Sequence, residues 1–265
     1  MPATDAKIVI KSARELELMR AAGRVVHQVL VELGPLVRPG ATTAELNARA
    51  EALIRAAGGV PLFKGVRNQQ ARMPFPAAIC ASVNEQVVHG IPNGQPLAPG
   101  SIVSVDCGVK LHGYCGDAAR TFAVGRLPSP VQRLLDVTRE ALELAIAAVR
   151  PGRRWSEIAR LIQRHVEDAG FGVVREFVGH GIGQEMHEPP NVPNYCERGP
   201  RYADFELRPG MTLAIEPMVT AGRRTVRLGD ATGWPVVTKD GSWAAHFEHT
   251  VAVTPTGSDV LTDGR

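Results

Sequence analysis

The spacing of apolar residues along the chain predicts helices in some segments and strands in others. Apolar residues recur every three or four positions, as one face of a helix requires, in four segments. These segments are residues 13–33, 43–57, 130–149 and 156–169. Short apolar runs bounded by glycine or proline predict strands. The main runs lie at 7–12, 79–90, 101–106, 171–180, 211–216 and 249–253.

Capping residues and prolines predict where the helices begin. Ser12 and Thr42 each precede a glutamate by three positions, which is the pattern of a capping box. Ser129 followed by proline predicts the start of the third helix, with the serine as its N-cap. Residues 60–78 and 189–210 show no period and predict loops that cross the face of the molecule. Strands interspersed with paired helices predict an α+β fold, with one curved, mainly antiparallel sheet backed by helices.

One predicted strand ends in an acid, and the chain contains a second copy of it. In residues 207–217 a Leu-x-Pro-Gly turn leads into an apolar run that ends at Glu216. Residues 97–106 repeat the turn, the run and the final acid, which is now Asp106. A carboxylate at the end of a buried strand is costly unless a cation, a metal ion or a raised pKa compensates its charge. Two such strands therefore suggest two halves that face a shared site.

The repeat extends well beyond these two strands. Residues 37–58 match residues 149–170, and the two segments keep the same offset from end to end. His89 and His180 each begin a His-Gly-Ile turn ahead of the acid-bearing strand of their half. Two copies of a unit predict a duplicated domain rather than a solenoid. We therefore expect a single catalytic domain over residues 1–265. Its pseudo-twofold halves would cover about 7–125 and 129–257.

The amino-acid composition excludes several classes of protein. The chain has 265 residues, of which 44% are hydrophobic, and this excludes a disordered chain. A net charge of +3 is too small to suggest a specific nucleic-acid partner. The four cysteines show no Cys-x-x-Cys spacing, and no apolar run reaches the ~20 residues of a membrane span. With no signal-peptide pattern at the start, we expect a reduced, soluble, cytoplasmic protein.

Five residues are the candidate metal ligands. They are Asp106, Asp117, His180, Glu216 and Glu248. Four carboxylates in one cleft would raise each other's pKa, whereas two divalent cations would balance all four charges. In two-metal hydrolases the ions lie ~3.5–4 Å apart. A donor set rich in oxygen with one imidazole suits manganese, iron, cobalt or zinc. The alternative is a purely structural set of buried acids.

Two further histidines are candidates for substrate contact. His187 lies beyond the glycine-rich turn of His180, from where it could reach a substrate carbonyl, and His89 occupies the equivalent turn of the other half. The charge balance of the metals needs neither of them, so we assign both to the substrate. For His187 the alternative is packing under the prolines that follow it. The glycines beside His180 would let the backbone approach the metal closely.

Five blocks of the chain resemble, in order and spacing, those of type I methionine aminopeptidases in their short bacterial form, which are pita-bread metallopeptidases. The blocks are residues 84–92, 106–125, 179–195, 207–218 and 244–253. The resemblance implies removal of the initiator methionine from nascent chains whose second residue is small. It also implies a pita-bread fold and two divalent ions, which could be cobalt, manganese, iron or zinc. Nascent N-termini would be the partners, with the ribosome as a candidate docking partner and the monomer as the expected state.

The resemblance also implies a mechanism. Asp117 and Glu248 would bridge the two ions, and a bridging water or hydroxide would attack the carbonyl of the methionine. Glu216 would act as a proton shuttle as well as a ligand. His187 would steady the developing oxyanion, and His89 would contact the scissile nitrogen.

The same resemblance implies a pocket for the methionine side chain. Its lining would be Phe75, Cys80, Met186 and Trp234, although each of these could equally be ordinary core packing. Four positions depart from residues that are common in the family. They are Cys115, Gly108, Met186 and His246. None of the four is a ligand position. The departures therefore affect the shape of the methionine pocket and the surroundings of the metal ligands, and not the type of reaction.

Two other functions remain open from the sequence. One is a non-catalytic pita-bread protein that binds peptides or acts as a ribosome adaptor, but such relatives lose ligands and this chain keeps all five. The other is a different dinuclear exopeptidase, such as an X-Pro aminopeptidase. Enzymes of that kind carry an additional N-terminal domain, which we do not expect here.

Overall fold

The computed structural model describes residues 8–69, 71–196 and 203–265. The helices in these ranges are α1 (Ala13–Leu33), α2 (Thr43–Ala56), α3 (Ser129–Ala148) and α4 (Trp155–Asp168), and a short 3₁₀ turn (Gly34–Leu36) follows α1. All four predicted helices are confirmed, with ends shifted by no more than one position. Within the described ranges no helix combines the length and the apolar character needed to cross a membrane.

The strands are short except for one central hairpin. In the first half they are β1 (Val60–Pro61), β2 (Cys80–Val83), β3 (Gln86–Val88), β4 (Ile102–Leu111) and β5 (Tyr114–Ala123). The second half contains β6 (Gly172–Val173), β7 (Gly179–Gly181), β8 (Glu188–Val192), β9 (Thr212–Ile215) and β10 (Met218–Thr220). It continues with β11 (Val226–Leu228), β12 (Val236–Thr238), β13 (Ala244–His246), β14 (His249–Val253) and β15 (Ser258–Val260).

Among the described residues the strands are divided among four antiparallel sheets, where the sequence predicted one curved sheet. In the first sheet β1 and β2 both pair with β4 of the β4–β5 hairpin, and a second sheet has the order β15-β14-β9-β7-β8. Two three-stranded sheets, β13-β10-β6 and β11-β12-β3, lie beside them. Every strand pairing among the described residues is antiparallel, and this confirms the α+β class. The two larger sheets carry the acid-bearing strands of the two halves.

Capping explains where the helices begin. The hydroxyls of Ser12 and Thr42 each accept a hydrogen bond from the third backbone N–H of their helix, and both capping boxes are complete. The prediction that Ser129 caps α3 is wrong. The cap is Pro128, whose carbonyl accepts from the N–H groups of Val131 and Gln132, so the helix begins one residue earlier.

Two predictions about irregular segments are corrected. Residues 8–12 form an extended segment and not a strand, because Lys11 donates its N–H to the carbonyl of Gly210 without a continuing ladder; residue 7 lies outside the described residues. The predicted loop at 189–210 begins within β8, which pairs with β7. Residues 197–202 of that loop also lie outside the described residues.

The core has two main parts, which correspond to the two halves of the repeat. One packs α1 and α2 against β4, with Leu46 and Val105 fully buried. The other packs α3 and α4 against β9 and β14, with Ile158 and Val251 fully buried. Each half thus buries its own helix pair against its own acid-bearing strands. The acids are thereby brought to the line where the halves meet.

Candidate metal centre

Strand pairing within each half brings two acids together. In the β4–β5 hairpin Asp106 lies opposite Ala119, and Asp117 lies opposite Gly108. In the second half Glu216 follows β9 directly and Glu248 directly precedes β14, and the pairing of Ile215 with His249 sets these acids beside each other. Asp106 and Asp117 thus lie inside the two strands of one hairpin, and not at a strand end as predicted for Asp106, whereas Glu216 and Glu248 lie at the adjoining ends of two paired strands.

Backbone hydrogen bonds join the two pairs. Glu248 donates its N–H to the carbonyl of Ala119 over 2.9 Å, and Ala119 donates back to the carbonyl of Glu248 over 3.3 Å. Next to this contact the N–H of Asp117 donates to Thr250 Oγ1, and that hydroxyl donates to the carbonyl of Asp117. The halves therefore meet at the two acids that are predicted to bridge the ions.

His180 enters the cluster from β7. Its Nδ1 lies 2.9 Å from the carbonyl of Gly181 and can donate to it, which directs Nε2 toward the acids, 3.7 Å from Glu216 Oε1. The glycines beside His180 have a different cause from the one predicted. A Cβ at Gly179 would lie 2.3 Å from the carbonyl oxygen of Ala214, and one at Gly181 would lie 2.2 Å from that of Pro189. Neighbouring strands, not a metal, require glycine at these positions.

Several carboxylate oxygens of the acidic cluster are buried without a hydrogen-bond donor among the described residues. Within the described part of the chain, Asp106 Oδ1, Asp117 Oδ1 and Glu248 Oε1 are buried without a hydrogen-bond partner. Burial raises the pKa of Asp117 to about 8, and the nearby charge of Glu216 adds to this shift. Burial likewise raises the pKa of Glu216 to about 8. The pKa values of Asp106 and Glu248 are also raised, by burial first and by the neighbouring carboxylates second.

These donors fit divalent metal ions. Asp117, His180 and Glu248 each offer a ligand atom, and the three atoms lie within 4.8 Å of one another. Burial lowers the pKa of His180 to about 3, so its imidazole is neutral and available as a ligand. Carboxylate oxygens without hydrogen-bond donors are the groups that a cation would satisfy, and an acid cluster kept without one would have to hold protons instead.

The two substrate histidines lie beside this cluster. The ring of His187 is 4.2 Å from that of His180, measured between ring centroids. His89 adopts a left-handed backbone conformation with φ 59°, and its ring meets Phe177 edge-on at 5.5 Å. Burial lowers the pKa of both histidines, that of His89 to about 4. Both are therefore neutral at pH 7 and can donate one hydrogen bond each.

One cavity of about 320 Å³ contains the acids, the three histidines and the predicted pocket residues. Phe75 and Trp234 pack edge-on with their ring centroids 5.2 Å apart, Cys80 is buried next to them, and Met186 packs against this group. Burial raises the pKa of the Cys80 thiol, so it remains uncharged. The structure thus provides an apolar recess next to a cluster of metal-ligand type.

Sequence reasoning did not assign several residues of this site. Phe63, Val66, Arg67 and Asn68 line the same cavity. They belong to the aperiodic segment 60–78, which was predicted only as a loop over the site. His246 was noted only as a departure from the family, yet its ring enters the acidic cluster. Its position two residues before Glu248 was the available signal, because alternate residues of an extended chain face the same side.

Comparison with known proteins identifies relatives along nearly the whole chain. The profile of metallopeptidase family M24 matches residues 17–255. "Methionine aminopeptidase 1" of Bacillus subtilis is 48% identical over 255 residues, which are 96% of this chain and 99% of that protein. "Methionine aminopeptidase" of Clostridium acetobutylicum is 47% identical, with 96% of this chain and 98% of that protein covered.

Solved structures agree with these relatives. The methionine aminopeptidase of Thermotoga maritima superposes with a TM-score of 0.90 at 42% identity, over 97% of this chain and 99% of that one. That of Rickettsia prowazekii gives 0.90 at 36% identity, over 97% and 100%. A prolidase of Pyrococcus furiosus, at 21% identity and a TM-score of 0.72, shares the fold, but only 65% of that chain is covered.

Proposed function

The chain belongs to metallopeptidase family M24, and from this premise we propose how the residues of its cavity carry out the reaction of its relatives. The protein is a metal-dependent aminopeptidase that removes the N-terminal methionine from newly made proteins. The observation that carries this assignment is the common cavity. There, four carboxylates and His180 lie beside an apolar recess that Phe75, Cys80, Met186 and Trp234 line.

The metal centre that we propose has two divalent ions. Asp106, Asp117, His180, Glu216 and Glu248 would hold them, and their four negative charges call for two dications. When bound, such ions activate a water molecule as a nucleophile and polarise the peptide carbonyl. Cobalt, manganese, iron and zinc all suit this donor set, because it combines carboxylates with one imidazole and contains no thiolate.

The recess would bind the methionine side chain. Phe75 and Trp234 offer aromatic faces, and Cys80 and Met186 offer polarisable sulfur, which suits contact with a thioether. The free amino group of the substrate would be bound, as a neutral amine, at the metal centre that these carboxylates hold. A substrate without a free N-terminus could not satisfy this contact. This accounts for the cleavage of a single residue.

Three side chains would handle the peptide bond itself. The neutral imidazole of His187 can donate a hydrogen bond to the carbonyl oxygen as negative charge develops on it. His89 would contact the scissile nitrogen from the opposite half. Glu216 would take a proton and pass it to the leaving amine. We also propose that the second residue of the substrate must be small.

The location of the enzyme and its oligomeric state are also part of the proposal. We propose that the enzyme acts in the cytoplasm, where chains are synthesised, and that it works as a monomer close to the ribosome. Co-sedimentation with ribosomes and analytical ultracentrifugation test these points separately from the chemistry.

A peptide assay distinguishes this function from its alternatives. After chelation, the protein would be assayed on Met-Ala-Ser and on Ala-Pro-Ala, with and without added manganese or cobalt. We expect methionine release from the first peptide only, and only with metal. Cleavage of Ala-Pro-Ala would favour an X-Pro aminopeptidase. Tight binding of either peptide without cleavage would favour a non-catalytic binding protein.

A further inference from the structure

His246 is buried among the acids of the cluster and has no assigned role. The residue is 2% exposed and lies at the end of β13, two positions before Glu248. Its backbone is held on both sides by Thr121, whose hydroxyl accepts from the N–H of His246 and donates to its carbonyl. These bonds fix the backbone from which the ring projects toward the acids.

The outer nitrogen of this ring faces two carboxylates. His246 Nε2 lies 3.5 Å from Glu216 Oε2 and 3.9 Å from Glu248 Oε2. Within the described part of the chain, Nε2 is buried and forms no hydrogen bond in this geometry. A buried polar atom without a partner is destabilising, so a ring nitrogen aimed at acceptors calls for an explanation.

The charges around Nε2 decide where the single proton of this imidazole resides. A neutral imidazole carries its proton on one nitrogen and a lone pair on the other. A lone pair on Nε2 would point at two carboxylate oxygens and be repelled by both, whereas an N–H there would be attracted by both. When ions are bound and these acids are ionised, the geometry therefore favours the proton on Nε2.

We propose that His246 is a positioning residue that donates its Nε2 proton to Oε2 of Glu216. Glu216 then lies between two imidazoles, since its other oxygen, Oε1, is 3.7 Å from Nε2 of His180. A small rotation of either side chain would shorten the contact from 3.5 Å to the usual hydrogen-bond length of about 2.7–3.2 Å. The bond would fix the carboxylate plane of Glu216 and present Oε1 to the metal. This inference rests on the proposed role of Glu216 as a ligand.

The alternative is that His246 itself binds an ion. Glu216, His246 and Glu248 do offer three atoms within 4.8 Å of one another. The charge balance of the proposed metal centre does not need His246, because four carboxylates already match two dications. As a neutral donor to Glu216, His246 leaves the five proposed ligands free to hold both ions.

Metal affinity in matched variants tests the proposal. Isothermal titration calorimetry would measure manganese and cobalt binding to the wild type, His246→Gln and His246→Leu. Partners that orient a metal ligand typically contribute about 10–100-fold in affinity, so we expect a loss of this size in His246→Leu. The glutamine amide can donate the same hydrogen bond, so His246→Gln should stay within about threefold of the wild type. Equal affinity of wild type and His246→Leu, or equal loss in both variants, would contradict the proposal.

His249 provides the control for simple loss of a buried ring. It lies on the adjoining strand β14, but it lines a separate cavity with His27 and accepts or donates at Thr262 through Nδ1. His249→Leu should therefore leave metal affinity unchanged, even if it lowers the melting temperature. A loss in His249→Leu as large as that in His246→Leu would show that the effect comes from packing, and would overturn the proposal.

Nuclear magnetic resonance tests the position of the proton without any assay of activity. With ¹⁵N-labelled histidine, the zinc-loaded protein should show His246 protonated at Nε2, with a proton signal that His246→Gln removes. With cadmium-113 bound, coupling of the metal to the His246 nitrogen would contradict the proposal and support direct ligation. Wild-type protein that binds no divalent ion at all would instead contradict the proposed metal centre, so the two failures are distinguishable.

Discussion

At the scale of single residues, the buried carboxylates determine what the site can do. Asp117 and Glu248 lie at the contact between the two halves, and each has one buried oxygen that no donor reaches within the described ranges. Without metal, these acids are expected to hold protons, since burial and their mutual repulsion raise their pKa values. In the proposed metal centre the same oxygens would become ligands. The metal-free site is unfavourable when its acids are ionised, and divalent ions would relieve their repulsion.

The first prediction concerns Asp117. Asp117→Asn should lower the affinity for manganese by more than about 100-fold, because loss of a ligand exceeds the 10–100-fold effect of residues that only orient one. Methionine release should fall at least in parallel. Calorimetric titration and a peptide assay would measure the two effects. Glu140→Gln, which alters an exposed acid paired with His165 on α3 and α4, is the matched control and should bind metal normally. An unaltered affinity in Asp117→Asn would remove Asp117 from the metal centre.

The second prediction concerns His187. His187→Ala should lower kcat by about 10²–10³-fold with little change in KM, because a donor to a developing oxyanion acts mainly in the transition state. Steady-state kinetics on Met-Ala-Ser would measure the split. His27→Ala, which alters a histidine of α1 that lines the cavity behind the sheet, should leave both constants unchanged. A rise in KM at constant kcat would show that His187 only binds the substrate.

Residue types and spacing were sufficient to predict the acidic cluster, but not its neighbours. The paired strand-end acids and the two His-Gly-Ile turns pointed to residues that the structure brings into one cavity. Arg67 and Asn68 line the same cavity but lie in an irregular segment, where no period indicates which side chains turn inward. Their positions depend on the packing of the whole chain, and the spacing of residues in this segment does not indicate that packing.

At the scale of elements, close packing of α1 on β5 holds Asp117 in place. A Cβ at Gly116 would lie 2.7 Å from the backbone nitrogen of Gly23 in α1. The glycine at 116 therefore allows the helix to approach the strand directly beside a predicted bridging ligand. Helix and strand are bound together at the site by backbone contact and not by long side chains.

The third prediction follows from this contact. Gly116→Ala should lower the free energy of unfolding by about 1–3 kcal/mol, the usual cost of overpacking a rigid contact. Gly94→Ala is the control, because no atom lies within 4 Å of the Cβ it would add. That variant should change stability by no more than about 0.5 kcal/mol. Chemical denaturation of both variants would measure the difference. Equal stability of Gly116→Ala and the wild type would show that α1 can move away from β5 at little cost.

The ends of helices and strands could be predicted where residues close in sequence determine them. The capping boxes at Ser12 and Thr42 are local, and both helices begin as expected. Strand β8 was missed because its prolines suggest a loop, whereas its pairing with β7 depends on residues that are distant in sequence. The division of the strands among four sheets is likewise a property of the whole packing, and no single run of residues shows it.

At the scale of the whole molecule, the duplication determines where the site can form. Each half supplies two acids and one His-Gly-Ile segment, and the halves are joined by reciprocal hydrogen bonds between Ala119 and Glu248. We propose that they form a single domain, since neither half contains a complete ligand set. Separation of the halves would therefore abolish the site.

The fourth prediction concerns stability and pH in the metal-free protein. Asp117 and Glu216 have pKa values of about 8 in the folded chain and near 4 when unfolded, so the folded state holds more protons between these values. The contribution of these two groups to the free energy of unfolding is present at low pH and is lost as the pH rises through about 8. The buried histidines oppose this trend only below their unfolded pKa of about 6.5. The melting temperature of metal-free protein should therefore fall between about pH 7 and pH 8.5.

Calorimetry on chelated protein would measure this fall, and added manganese should reverse it. The stabilisation by metal should grow as pH rises over the same interval, because the ligands must lose their protons to bind. A melting temperature of the metal-free protein that rises between about pH 7 and pH 8.5 would contradict the predicted protonation of the acids. Stabilisation by metal that is independent of pH would contradict it as well.

The most direct test of the metal centre is its occupancy in a crystal. Anomalous diffraction from protein crystals grown with manganese would show where the ions bind and how many there are. We predict two peaks in the cavity of about 320 Å³, in contact with Asp106, Asp117, His180, Glu216 and Glu248. A map with no peak there, or with manganese bound only elsewhere, would contradict the claim that paired dications hold these acids together.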